Sequence, residues 1–338
     1  MMRVGLQRQI RLVLGFALAG AAIGVLYVVI NFPLRLDGLL RGAVTGFLIS
    51  GGIVAWEVVA RTSRLGAPLY RLAFVPFILV KSLVWGAWIV GVLLVTRLAL
   101  PIPGVPLFRD LVPDIVFALA SSLGVVLLRE FDRLLGPGTV WRLVTGRYHT
   151  PRVEDRAFLL LDIVGSTAIA ERIGPARFLA LLDFLIGELT PVLAAHRAEI
   201  YRYVGDAIIV TWPLETAIAE ARCVRCSAAV GARLAAIQPE CRRRFGLEVQ
   251  GRAALHAGPV AIGEIGELKR EITMLGDTLN TASKIEKIAG EFGKRAVISR
   301  DLLDRLRLPE GMTALPLGEV DVPGRSQRME LFSLQSLQ

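Results

Sequence analysis

The sequence predicts a membrane-embedded bundle of α-helices joined to an α/β domain. Three observations predict it. Of 338 residues, 54% are hydrophobic and the mean hydropathy is +0.55, more apolar character than one water-soluble core requires. The apolar residues gather in four long runs before residue 130, and from 156 onward they alternate between strand and helix periods. The charge divides at the same place: residues 1–150 hold 15 Lys and Arg against 6 Asp and Glu, whereas residues 151–338 hold 24 of each.

The four runs, about 11–32, 39–60, 72–99 and 111–128, each reach or exceed the roughly 17 to 25 residues that a spanning helix needs. Arg3, Arg8 and Arg11 precede the first, Arg61, Arg64 and Arg71 separate the second from the third, and Arg129 and Arg133 follow the fourth. This bias places both termini in the cytoplasm, in a multi-pass protein of the cell (inner) membrane. The cationic excess lies entirely with the apolar half, so it reads as membrane topology and lipid contact. A nucleic-acid footprint would mark the soluble half instead.

Two charges interrupt the runs. Glu57 stands near the end of the second, and Lys81 stands about nine residues into the third, roughly 13 Å along a helix. Lys81 either snorkels to the headgroups alone or reaches Glu57. Residues 129–155 mix short helical patterns with Gly136, Pro137, Gly138 and Pro151 and lack the Ser/Gly composition of a flexible tether, so they form a structured linker. The division is therefore 1–128 membrane domain, 129–155 linker and 156–338 cytoplasmic domain.

Within the last part, "AFLLLDIV" has the unbroken apolar character of a buried strand, and "AIAERIGPARFLALLDFLIGELTPVLAAHR" the period of helices. "EIYRYVGDAIIVTW" reads as two strands about a Val-Gly-Asp turn. A helix follows over about 214–236, then strands in "VQGRAALHAGPVAIGEIG" and "REITML", a helix in "DTLNTASKIEKIAG", and short strands at "AVIS", "MTALPLG" and "MELFSL". His256 falls where a strand meets a Gly-Pro turn and has a structural role. Cys223, Cys226 and Cys241 are odd in number, and the Cys-x-x-Cys lies in a helical run without a second pair or a nearby His. They are reduced thiols and neither a zinc site nor a redox motif.

Asp162 follows four apolar strand residues, and Gly165, Ser166 and Thr167 then supply a tight turn and an N-cap for the next helix. Free N–H groups at a helix start suit phosphate, and a carboxylate just before them suits the magnesium that accompanies phosphate. Asp206 sits at the hairpin turn after Gly205. Each aspartate alone is ordinary cap or turn chemistry. Together, at adjacent strand ends, they would bridge two divalent ions about 3.5 to 4 Å apart, yet 44 positions separate them and spacing alone does not bring their strands together.

Four stretches, "FLLLDIVGSTAIAERIG", "EIYRYVGDAIIVTW", "LHAGPVAIGEIG" and "ITMLGDTLNTASKIE", occur in the order and at the spacing of the class III nucleotidyl cyclases, and residues 156–334 resemble the catalytic domain of that family. The resemblance implies a ferredoxin-like α/β fold that works as a head-to-tail homodimer with both sites at the interface. It also implies two Mg²⁺ or Mn²⁺ ions per site, held by Asp162, Asp206 and the main-chain carbonyl of Ile163. Arg202 stands where the family carries a base-reading Lys, and Thr273 where it carries an Asp or Thr. Asn280 matches the residue that orients the ribose, and Lys284, one helical turn on, replaces the family's transition-state Arg. Arg325 matches a triphosphate-binding position.

Guanine readers in the family carry an acidic residue where Arg202 stands, so the resemblance favours ATP over GTP. The expected activity is that of a membrane-bound adenylate cyclase forming cyclic AMP and pyrophosphate. A guanylate cyclase is the alternative, as is a weakly active or inactive nucleotide-binding receptor module, since Arg202 and Lys284 both depart from the family pattern.

Overall fold

The computed structural model describes residues 2–336 except 33, 63–71, 73, 104–105, 107–110, 137–141, 143, 269 and 324–327. Arg64, Arg71 and Arg325 therefore lie outside the described residues. The chain divides into two compact units, Met1–Phe131 and Asp132–Gln338.

The first unit contains helices α1 (Met2–Asn31), α2 (Leu36–Thr62), α3 (Phe74–Ala99) and α4, which begins at Leu111 and runs to Leu135. Stretches Val13–Asn31, Leu36–Ala60 and Val75–Ala99 are long and apolar enough to cross a membrane. The contact between α1 and α2 is so close that a Cβ placed on Gly24 would overlap the carbonyl oxygen of Gly42, and one on Gly46 that of Gly20. Small residues four apart on each helix permit that approach, as in other membrane helix pairs.

Lys81 does not reach out to headgroups. Its side chain is 1% exposed, and Nζ lies 2.7 Å from Glu57 Oε1 and 2.9 Å from Glu130 Oε1, tying α3 to α2 and α4. The rings of Phe77 and Trp85 flank the ammonium at 5.3 and 4.8 Å. Two carboxylates and two aromatic faces supply the attraction that offsets removing this charge from water.

The second unit is built on one mixed eight-stranded sheet. Its elements are β1 (Arg152–Ile163), α5 (Ser166–Ile173), α6 (Pro175–Ala195), β2 (Glu199–Val204), β3 (Ala207–Pro213), α7 (Leu214–Ile218), α8 (Arg222–Ala236) and α9 (Gln238–Phe245). They continue with β4 (Gly251–Ile265), β5 (Glu271–Leu275), α10 (Asp277–Glu291), β6 (Ala296–Ser299), α11 (Arg300–Leu303), β7 (Met312–Val320) and β8 (Met329–Ser336). The sheet order is β2-β3-β1-β4-β6-β8-β7 with β5 on β4, and β4–β6 is the parallel pair. Strand alternation sends Leu159 and Leu161 to one face, with Leu181, Leu185, Leu189 and Leu193 of α6, and Phe158 and Leu160 to the other, with Met274 and Ala282. Helix α6 also has the length and apolarity of a membrane span, but its leucines repeat every four residues on one stripe and are buried in this core.

Three local readings need correction. The helix expected over 214–236 breaks at Glu220 and Ala221, whose φ values of 55° and 49° stop α7 and restart the chain as α8. Gly258-Pro259 is not a turn: it lies inside β4, where Asp155 pairs with Pro259 and Arg156 with Gly258. His256 is accordingly mid-strand, 3% exposed, with Nδ1 2.8 Å from Ser299 Oγ. Finally, the N-cap position of α5 is Gly165 itself, at φ 68°, with no side-chain cap, and Ser166 is the first helical residue.

Candidate active site

Asp162 ends the apolar run of β1. In the β1–β3 ladder Leu161 pairs with Ile208, so Asp162, one residue on, and Asp206, two residues back, come to the same end of two adjacent strands. Glycines in the left-handed region flank both: Gly165, three residues after Asp162, at φ 68°, and Gly205, immediately before Asp206, at φ 62°. A side chain at either would strain the turn that presents the carboxylate.

The two carboxylates act on one another. Burial, then the charge of Glu286 and then that of Asp206, pushes the Asp162 carboxyl up to about 7, with Arg252 opposing. Arg252 faces Asp162 across the β1–β4 ladder and is held by Glu286 of α10 at 2.8 Å. Asp206 Oδ2 is buried with no hydrogen-bond partner among the described residues. An acceptor removed from water without a donor is costly, and a bound divalent cation relieves that cost, as it relieves the repulsion between the two aspartates. The donor set therefore fits a hard cation with oxygen ligands. Among the described residues no three His, Cys, Asp or Glu side chains cluster to hold a metal unaided, so water and phosphate oxygens would complete the coordination. Ile163 follows as the last residue of β1, 8% exposed. The two aspartates line a cavity of about 30 Å³ together with Leu161, Leu182, Leu185 and Leu189.

The predicted base-reading residues meet in a second cluster. Tyr201 Oη accepts the Met274 N–H at 2.9 Å and lies 3.2 Å from Thr273 Oγ1, while the Arg202 guanidinium sits 5.2 Å from the centre of the Tyr201 ring. Thr273 is 6% exposed. Arg202 is paired with Glu271, and both are about two-fifths exposed. Asn280 and Lys284 follow on α10, Asn280 exposed and Lys284 half-buried. Neither makes a hydrogen bond or ion pair with Asp162 or Asp206 among the described residues.

Sequence reasoning missed Tyr201, Glu271, Arg252 and Glu286. Glu271 had a signal available, since it shares a strand face with Thr273 two residues on. The pairing of Arg252 with Glu286 depends on the β1–β4 register and had none. Cys223 and Cys226 are free and buried, and burial pushes both thiols up to about 12.

Comparison with known proteins gives a consistent picture. Residues 149–336 match the family model of the adenylate and guanylate cyclase catalytic domain. Adenylate cyclase 2 of Rhizobium meliloti (strain 1021) is 38% identical over 220 residues, covering 65% of this chain and 61% of that protein. Adenylate cyclase 1 of the same organism is 30% identical over 181 residues, covering 52% of this chain and 27% of that protein. The chain thus matches less than two thirds of the length of either relative. A bacterial light-regulated adenylyl cyclase of known structure shares the fold, with a TM-score of 0.56 at 16% identity over 71% of this chain and 68% of that one.

Proposed function

Because the chain belongs to the adenylate and guanylate cyclase catalytic-domain family, we propose that it is a membrane-bound adenylate cyclase converting ATP to 3′,5′-cyclic AMP and pyrophosphate. Residues 1–128 form its membrane domain, 129–155 the linker and 156–338 the catalytic domain. The observation that carries this reading is the convergence of Asp162 and Asp206 on one strand end, with Asp206 Oδ2 buried and unpartnered among the described residues. A domain kept only to bind nucleotide has no evident need for both carboxylates.

Asp162 and Asp206, with the main-chain carbonyl of Ile163, would hold two Mg²⁺ or Mn²⁺ ions, which when bound neutralise the triphosphate and acidify the ribose 3′-hydroxyl. The uncapped start of α5 offers N–H groups to phosphate oxygens. Thr273 and Arg202 contact the adenine edge, Asn280 orients the ribose, and Lys284 balances charge growing on the α-phosphate. The ribose 3′ oxygen bonds to the α-phosphorus, the bond to pyrophosphate breaks, and the proton passes to water. Positioning and charge neutralisation account for most of the barrier reduction, so no dedicated general base is required.

Among the described residues no hydrogen bond or ion pair joins the two aspartates to Arg202 or Thr273. This supports a homodimer in which each site takes its metal ligands from one protomer and its base and ribose contacts from the other. A GTP reading stays open on one observation: Glu271 sets a carboxylate beside Arg202, an acceptor suited to the guanine N1 and N2 hydrogens.

The test is to assay the purified full chain with Mn²⁺ and either ATP or GTP, beside Asp162→Ala and Asp206→Ala. Cyclic AMP that both substitutions abolish supports the reading. Nucleotide binding without product would replace it with that of a binding module.

A further inference from the structure

We propose that Tyr201 is a positioning residue that holds the Thr273 hydroxyl in place for the purine 6-amine, and so sets how strongly the site prefers ATP over a purine without that amine. The inference rests on the assignment of Thr273 and Arg202 to the base and adds a residue that acts on both.

The arrangement starts in β2. Ile200 pairs with Val210 and Arg202 with Ile209, so Tyr201 is an extra residue without a partner on β3, a β-bulge. Consecutive residues of a regular strand point to opposite faces, and a bulge breaks that alternation and re-aims a side chain. Here both neighbours reach β5: Tyr201 bonds Thr273 and Met274, and Arg202 is paired with Glu271. β2 lies at an edge of the sheet, while β5 pairs with β4. Side chains therefore join two strands that share no ladder.

The hydrogen bonds at Tyr201 have a direction. The Met274 N–H can only donate, and it does so to Tyr201 Oη at 2.9 Å. The phenol keeps its own proton to give, and Thr273 Oγ1 lies 3.2 Å away to accept it. The chain runs from the Met274 N–H through the phenol to the Thr273 hydroxyl, each bond polarising the next. Thr273, 6% exposed, is left with one lone pair in a fixed place, and an amine that donates is its complement. The Arg202 guanidinium lies 5.2 Å from the centre of the same ring, within range of attraction to its face. One side chain thus steadies both base contacts.

The full chain is assayed with Mn²⁺ and, in parallel, ATP and purine riboside 5′-triphosphate, which differs from ATP only in lacking the 6-amine. Tyr201→Phe is expected to lower kcat/KM for ATP by roughly fivefold and that for the analogue by less than about twofold. In a Thr273→Val background the same substitution should add little with either nucleotide, because its effect runs through the Thr273 hydroxyl. A purely structural role would lower both substrates alike. Should Tyr201→Phe fail to fold, Thr273→Ser serves: it keeps the hydroxyl and loses the branching that restricts χ1, so the preference should persist, held by the phenol. A preference for ATP that is absent from the wild-type chain, unchanged in Tyr201→Phe or lost in Thr273→Ser would overturn the proposal and leave the cyclase reading standing. A wild-type chain that forms no cyclic product from any nucleotide would overturn both.

Discussion

Asp162 and Asp206 stand at neighbouring strand ends although 44 positions separate them, because Leu161 pairs with Ile208 in the β1–β3 ladder. Their charges act on each other. Replacing either by Asn keeps the shape and removes the charge, so each single variant is expected to lower turnover with Mn²⁺ and ATP by roughly 10²- to 10³-fold or more while the fold is retained. Circular dichroism and the rate of cyclic nucleotide formation check the two halves of that statement.

The raised carboxyl of Asp162 makes metal binding depend on pH. Its folded pKa of about 7 lies above the ordinary 3.8, so the metal-free protein holds this proton at pH 6 and loses it by pH 8. The stability this group contributes is present below 3.8 and lost as pH rises through 7. The metal-free domain should accordingly be less stable at pH 8 than at pH 5 on account of this group, and Mn²⁺ should restore it. Calorimetric titration is expected to show Mn²⁺ affinity falling by up to about tenfold per pH unit below 7, and Asp162→Asn should flatten that slope.

The partnership of Arg202 with Glu271 bears on base choice. In Glu271→Gln the acceptor suited to guanine loses its charge and Arg202 is released toward an adenine ring nitrogen. The ratio of kcat/KM for ATP to that for GTP should rise by about tenfold. Thr273→Val, which removes the hydroxyl beside Tyr201, should lower kcat/KM for ATP.

Much of this arrangement was legible in the sequence because it rests on period and local turn chemistry. The four apolar runs, the apolar strand that carries Asp162 near its end and the Val-Gly-Asp hairpin each follow from side-chain pattern over a few residues. The rest depends on long-range geometry. Nothing local marks the break at Glu220 and Ala221, which lie in a run free of Gly and Pro, and a Gly-Pro pair ordinarily signals a turn, yet β4 carries Gly258-Pro259 straight through the ladder. The sharing of Lys81 between two carboxylates was half legible: Glu57 was a candidate partner, and Glu130, 49 positions away, was not.

Lys81→Met leaves two carboxylates in an apolar bundle without their shared cation. The expected loss is about 3 to 5 kcal/mol of stability in the helical unit, read as a lower unfolding midpoint in detergent. Exchanging the charges, Lys81→Glu with Glu57→Lys, should recover part of what Lys81→Glu alone loses, since it restores an opposite-charge pair across α2 and α3.

The most direct measurement is complementation. Asp162→Ala lacks a metal ligand and Asn280→Ala lacks a ribose contact, so each homodimer should be inactive. When the two are mixed and allowed to exchange, half the dimers pair one with the other and hold one intact site of two, and cyclic AMP formation should return to about a quarter of the wild-type rate. Activity that stays at the level of the separate variants, with subunit exchange verified, would contradict a site shared between two chains.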